Sequence, residues 1–93
     1  MRFILIGHHS PEWIGKAQER GDQARAMCAA LGITVEASYY TQGEFDYVTT
    51  IDAPSAEAAS AFAFNYMRKG FGRVQVMRAF SASEVESFMS GTN

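Results

Sequence analysis

The run Gln42-Gly43-Glu44-Phe45-Asp46 constrains this chain most. It lies between two β-rich segments, Val35–Thr41 and Tyr47–Ile51. Glycine adopts φ > 0 without steric cost, so Gly43-Glu44 reads as the two-residue loop of a II′ hairpin. That register pairs Gln42 with Phe45, Thr41 with Asp46 and Tyr40 with Tyr47, and it fixes the middle of the fold.

The flanking segments supply the other elements. Arg2–Gly7 reads as a short buried strand. Ser10 is a good helix N-cap, with Pro11 at the first helical position and Glu12 near the positive end of the dipole. Ile14, Ala17, Gly21, Ala24, Cys28 and Leu31 then recur at three- and four-residue intervals as one helical face, and Gly32 stops the helix. Gly21 costs that helix about 1 kcal/mol against Ala and marks close packing or a weak turn.

Asp52-Ala53-Pro54-Ser55 ends the third strand and caps a second helix, Ala56–Lys69. Its inner face is Ala59, Phe62, Ala63, Tyr66 and Met67, with Gly70 and Gly72 as the stop. Arg73–Phe80 is a fourth strand. Ser81 and Glu84 have capping-box spacing and open a last helix through about Met89. The tail Ser90-Gly91-Thr92-Asn93 is expected to fray.

The order βαββαβ plus a terminal helix, with a right-handed crossover in each half, predicts an α+β, ferredoxin-like domain over residues 1–93. Its four-stranded antiparallel sheet is ordered 4-1-3-2 and carries two helices on one face. Alternation sets Phe3 and Leu5 against Ile4 and Ile6, Val74 and Val76 against Met77 and Ala79, and Tyr39 against Tyr40. Both sheet faces are therefore apolar, and two helices cover only one. Monomers rarely expose such a face: either loops or the last helix cover it, or, the favoured reading, two copies join sheet on sheet as a homodimer with two-fold symmetry.

Composition narrows the function classes. The 93 residues carry a net charge of −2 with both signs scattered. Without a basic stripe, nucleic acid is not an expected partner. No apolar window is long enough for a membrane span, and Phe3-Ile4-Leu5-Ile6 is too short for a secretory core, so no membrane partner is expected. The lone Cys28 forms no internal disulfide and reads as a small core residue, and a cytoplasmic location is expected. The chain has no phosphate loop, dinucleotide fingerprint, nucleophile elbow or zinc motif, and no cofactor or metal is expected.

Gly43-Glu44-Phe45-Asp46 resembles the signature of the GYD-domain family, with Phe45 in place of the usual Tyr. Asp52-Ala53-Pro54-Ser55 and Arg78-Ala79-Phe80-Ser81 resemble segments of the same family at matching positions. The resemblance covers nearly the whole chain and implies the dimeric α+β barrel superfamily. It implies no common activity. The wider superfamily includes cofactor-free monooxygenases, lactone isomerases, haem-degrading enzymes, polyketide cyclases and ligand-sensing domains. His8-His9 and the Phe62-Ala63-Phe64-Asn65-Tyr66 run depart from the family pattern.

The topology gathers chemistry at one end. The end of the first strand, His8-His9, neighbours the starts of the third and fourth, Phe45–Tyr47 and Arg73-Val74, together with the helix entrance at Trp13. His8 or His9 with Asp46 or Glu44 would make a proton-transfer pair, the carboxylate fixing the tautomer. The alternatives are two surface histidines at the helix entrance and an Asp46 that accepts backbone N–H groups. Adjacent strand histidines point to opposite faces, which disfavours their sharing a metal. Trp13, Tyr40, Glu44, Phe45, Tyr47, Phe62 and Tyr66 are the candidate ligand-binding residues, mostly aromatic material for a flat organic ligand between sheet and helices. Arg78, inside an apolar strand, reads as a partnered or dimer-edge residue. Three functions remain open: a small-molecule binder, a cofactor-free enzyme using a histidine, and a domain that only assembles.

Overall fold

The computed structural model describes residues 1–91. Its elements are β1 (Arg2–His9), α1 (Pro11–Ile14), α2 (Ala17–Ala30), β2 (Thr34–Tyr40), β3 (Tyr47–Asp52), α3 (Ala56–Arg68), β4 (Gly72–Arg78) and α4 (Ala82–Ser90). The four strands form one antiparallel sheet in the order β2-β3-β1-β4, the expected ferredoxin-like topology.

Register decides which residues share a face. Leu5 sits opposite Thr49 and Val76, and Phe3 opposite Ile51. This face meets the helices: Phe3, Leu5 and Ile51 are buried with Ala59, Phe62, Tyr66 and Phe71 in one cluster. Ser55 caps α3 by accepting the Ala58 N–H at 3.1 Å, which aims the Ala59, Phe62, Ala63 and Tyr66 stripe at the sheet. Met67, expected on that stripe, is 37% exposed because it lies at its edge. The other face carries Ile4, Ile6, Val48 and Met77 with no helix over it, inside a polar rim that includes the ion pair of Arg2 with Glu36 at 2.8 Å.

Three expectations are corrected. Gly43 does not take φ > 0, so the connection is not a II′ turn but a wider loop over residues 41–46. The register survives: Tyr40 pairs with Tyr47, and the Thr41 N–H donates to the Asp46 carbonyl at 2.9 Å. The first helix is not continuous. It breaks at Gly15 and Lys16, while Gly21 lies inside an unbroken α2. The break turns Ile14 outward to 60% exposure and leaves the inner face of α2 to Arg20 and Cys28. Finally, Ser90 belongs to α4 and Gly91 caps it, so the expected fraying does not begin there; Thr92 and Asn93 lie outside the described residues.

The capping box at Ser81 and Glu84 is present in full. It starts an α4 whose Val85 and Phe88 remain exposed, with Phe88 edge-on to Phe80. Arg78 lies over the Phe80 ring at 4.4 Å and ties the end of β4 to that pair.

Candidate functional site

β1 continues two residues beyond its expected end, so both histidines are strand residues. Pleating sends them to opposite faces. His8 faces away from the helices, donates from Nε2 to the Glu44 carbonyl at 2.6 Å and lies 5.4 Å from the Phe45 ring. His9 faces the helices, stacked on Tyr47 at 5.0 Å and edge-on to Tyr40 at 5.8 Å. The wide hairpin loop separates these groups: Phe45 accompanies His8, not Tyr40 and Tyr47.

Asp46 bridges strand and loop. Its carboxylate accepts the main-chain N–H of His9 at 2.8 Å, and its own N–H donates to the Gly7 carbonyl at 2.8 Å. The bond it makes to His9 is thus to backbone, the structural alternative noted above. Glu44 meets His8 through its carbonyl, not its side chain. Trp13 packs edge-on against Phe71 at 4.5 Å and gives its carbonyl to Arg20.

Between the sheet, α2 and α3 lies a cavity of about 170 Å³. Leu5, Ile51, Phe62 and Cys28 make its apolar wall, and His9, Tyr40, Tyr47, Tyr66 and Arg20 its polar end. The rim runs between α2 and the edge strand β2, where Tyr40 and Val35 are exposed. Of the candidate residues, His9, Tyr40, Tyr47, Phe62 and Tyr66 meet at this cavity. His8 and Phe45 line a separate pocket of about 260 Å³ with Arg73 and Gln75.

Sequence reasoning missed Arg20. It is 3% exposed, the one buried charged side chain among the described residues. Its Nη1 donates to the Trp13 carbonyl at 2.6 Å, and its Nη2 approaches the Tyr40 hydroxyl at 3.3 Å and His9 Nε2 at 3.5 Å. The signal was available: Arg20 follows Ala17 by three and precedes Ala24 by four, so it shares their helical face.

Burial sets the electrostatics. It lowers the pKa of His9, the Arg20 charge adds to the effect, and Asp46 opposes it. His9 is thereby favoured as neutral imidazole. Burial pushes the Cys28 thiol up to about 11 and raises the Tyr47 and Tyr66 phenols, Arg20 working in the opposite direction on both rings. The Tyr47 hydroxyl donates to the Arg73 carbonyl at 2.9 Å. Among the described residues no cluster of three or more His, Cys, Asp or Glu side chains could hold a metal ion, and no helix is long and apolar enough to cross a membrane.

The model of the GYD domain matches residues 3–89. Among solved structures the chain is similar to 5-chloro-2-hydroxyhydroquinone dehydrochlorinase from Burkholderia phenoliruptrix, in complex with 2,5-dihydroxybenzoquinone. That likeness has a TM-score of 0.62 at 15% identity and covers 89% of this chain and 97% of the other. At that identity it is a likeness of fold. No curated protein matches the chain.

Proposed function

The chain belongs to the GYD-domain family, and from that premise we propose that it is a small homodimeric protein that binds one flat organic molecule in the cavity between sheet and helices. The cavity itself carries the proposal. Its volume of about 170 Å³ is that of a site for a single aromatic ring, since an apolar cavity of about 150 Å³ admits benzene. Its walls are apolar and aromatic, and its few polar groups converge at one end, the pattern of ligand sites generally. The structural neighbour's complex with a small quinone supports a ligand of this size on this fold.

The test is thermal shift and NMR titration with a panel of single-ring aromatics, 2,5-dihydroxybenzoquinone included. A binder at about 100 times its dissociation constant adds roughly 2.7 kcal/mol of stability. Chemical-shift changes should centre on Phe62, Tyr66 and Tyr47. Binding elsewhere, or none across the panel, would leave assembly as the remaining function.

One observation favours a second reading, a cofactor-free enzyme. His9 lines the same cavity and is held towards its neutral form, so near neutral pH it carries a lone pair, at Nε2, that a substrate proton would have to win from Arg20. Consumption of a bound aromatic by the wild type but not by His9→Gln would establish it. The uncovered face of Ile4, Ile6, Val48 and Met77 supports the dimer. Cys28 is buried and free, consistent with the cytoplasmic location proposed here.

A further inference from the structure

Arg20 is a cation taken almost wholly out of water, and no carboxylate forms an ion pair with it among the described residues. Its hydrogen-bond partners are all neutral: the Trp13 carbonyl, the His9 imidazole nitrogen and the phenol oxygens of Tyr40 and Tyr66. A guanidinium has five N–H donors, so part of its capacity is unused. Burying a charge without a counter-charge is costly, and the cost is relieved when an anion arrives.

The neighbours of Arg20 strengthen the case. When His9 Nε2 accepts from Arg20, the ring proton must sit on Nδ1, and that buried nitrogen has no partner. When the Tyr40 oxygen accepts from Arg20, its hydroxyl proton is left to donate. The polar end of the cavity thus carries the Tyr40 hydroxyl as a donor and the positive charge of Arg20, opposite an apolar wall. A neutral aromatic ring would satisfy the wall alone. An aromatic ring bearing a carboxylate or phenolate oxygen would satisfy both.

Resting on the cavity reading above, we infer that the ligand is a single-ring aromatic anion, a carboxylate or phenolate, whose oxygen pairs with the buried Arg20 guanidinium while its ring lies against Leu5, Ile51 and Phe62. Arg20 is then the specificity-determining residue of the site: it selects charge, and the wall selects size.

The test compares benzoate with benzamide, which match in shape and differ in charge, and adds para-nitrophenol, whose colour reports ionisation. A charge-assisted hydrogen bond predicts that benzoate binds roughly 10- to 100-fold tighter than benzamide. It also predicts that para-nitrophenol ionises at lower pH when bound than in buffer. Arg20→Met should abolish both differences while benzamide still binds, and Arg20→Lys should restore part of the preference. Equal binding of benzoate and benzamide would overturn the inference and leave the cavity reading intact, whereas binding of neither would overturn both. Anion preference that persists in Arg20→Met would also overturn the role of Arg20. Should the methionine variant fail to fold, the wild-type ratio and the bound para-nitrophenol ionisation still decide the charge of the ligand, and Arg20→Lys still reports on the residue.

Discussion

His9 lies stacked on Tyr47, ring centroids 5.0 Å apart and planes 21° from parallel, and the Tyr47 hydroxyl is in turn bonded to the Arg73 carbonyl at 2.9 Å. The pair links β1, β3 and β4 at the end of the sheet that holds the cavity. Gly7 makes the arrangement possible. A Cβ there would overlap the Arg73 carbonyl oxygen and come within 2.5 Å of the Tyr47 hydroxyl.

Gly7→Ala is therefore expected to destabilise by about 2–4 kcal/mol, because main chain must move to admit a methyl group. Urea unfolding checks it. A midpoint unchanged from wild type would mean that the strands yield at no cost.

Tyr47→Phe keeps the ring and removes one donor. It should cost about 1–2 kcal/mol, since the Arg73 carbonyl loses its side-chain partner in a partly buried site. Calorimetry reads this as a lower Tm with an unchanged far-ultraviolet circular dichroism spectrum.

Acid should weaken the fold through His9. Its folded-state pKa is lowered by burial and by Arg20, with Asp46 opposing and the Tyr40 and Tyr47 rings packed beside it. The unfolded chain takes up the His9 proton near pH 6.5, the folded chain only at lower pH. The stabilising contribution is full above about pH 6.5 and declines as the pH falls through that value towards the folded pKa. Tm measured between pH 8 and pH 5 should fall more steeply for wild type than for His9→Gln. Parallel profiles would assign the acid sensitivity elsewhere.

Gly43→Val should be nearly neutral, within about 0.5 kcal/mol. The glycine is not in the left-handed region, and a Cβ there meets no atom within 4 Å. A loss of more than about 1 kcal/mol in urea unfolding would indicate that the loop needs glycine after all.

These contrasts show how far the sequence could be read. Strand order followed from alternation, capping and crossover handedness, and Phe62 and Tyr66 reached the cavity because a helical stripe is a local pattern. The hairpin register held at Tyr40 and Tyr47 because the flanking strands specify it, yet the loop conformation did not, since the Asp46 bonds to Gly7 and His9 open the turn and involve a strand distant in sequence. Arg20 was overlooked for a related reason. Its face was legible from Ala17 and Ala24, but a charged residue on a helix is ordinarily solvated. The break at Gly15 and Lys16 brings the Trp13 carbonyl to its guanidinium, and with His9 and Tyr40 this gives the buried group its partners.

The two faces of β1 give the last prediction. Leu5 is 2% exposed beneath the helices, whereas Ile6 is only half-buried on the open face with Ile4 and Val48. An aspartate in place of Leu5 puts a charge in the core and should leave the chain unfolded, given a total stability of about 5–15 kcal/mol. Ile6→Asp should leave the monomer folded and place like charges near each other across the two-fold interface. Light scattering at micromolar concentration should then give a mass near 20 kDa for wild type, twice the 10.2 kDa chain, and the single-chain mass for Ile6→Asp with a native circular dichroism spectrum. A wild type that stays at the single-chain mass would end the dimer proposal, and a dimeric Ile6→Asp would move the interface off this face.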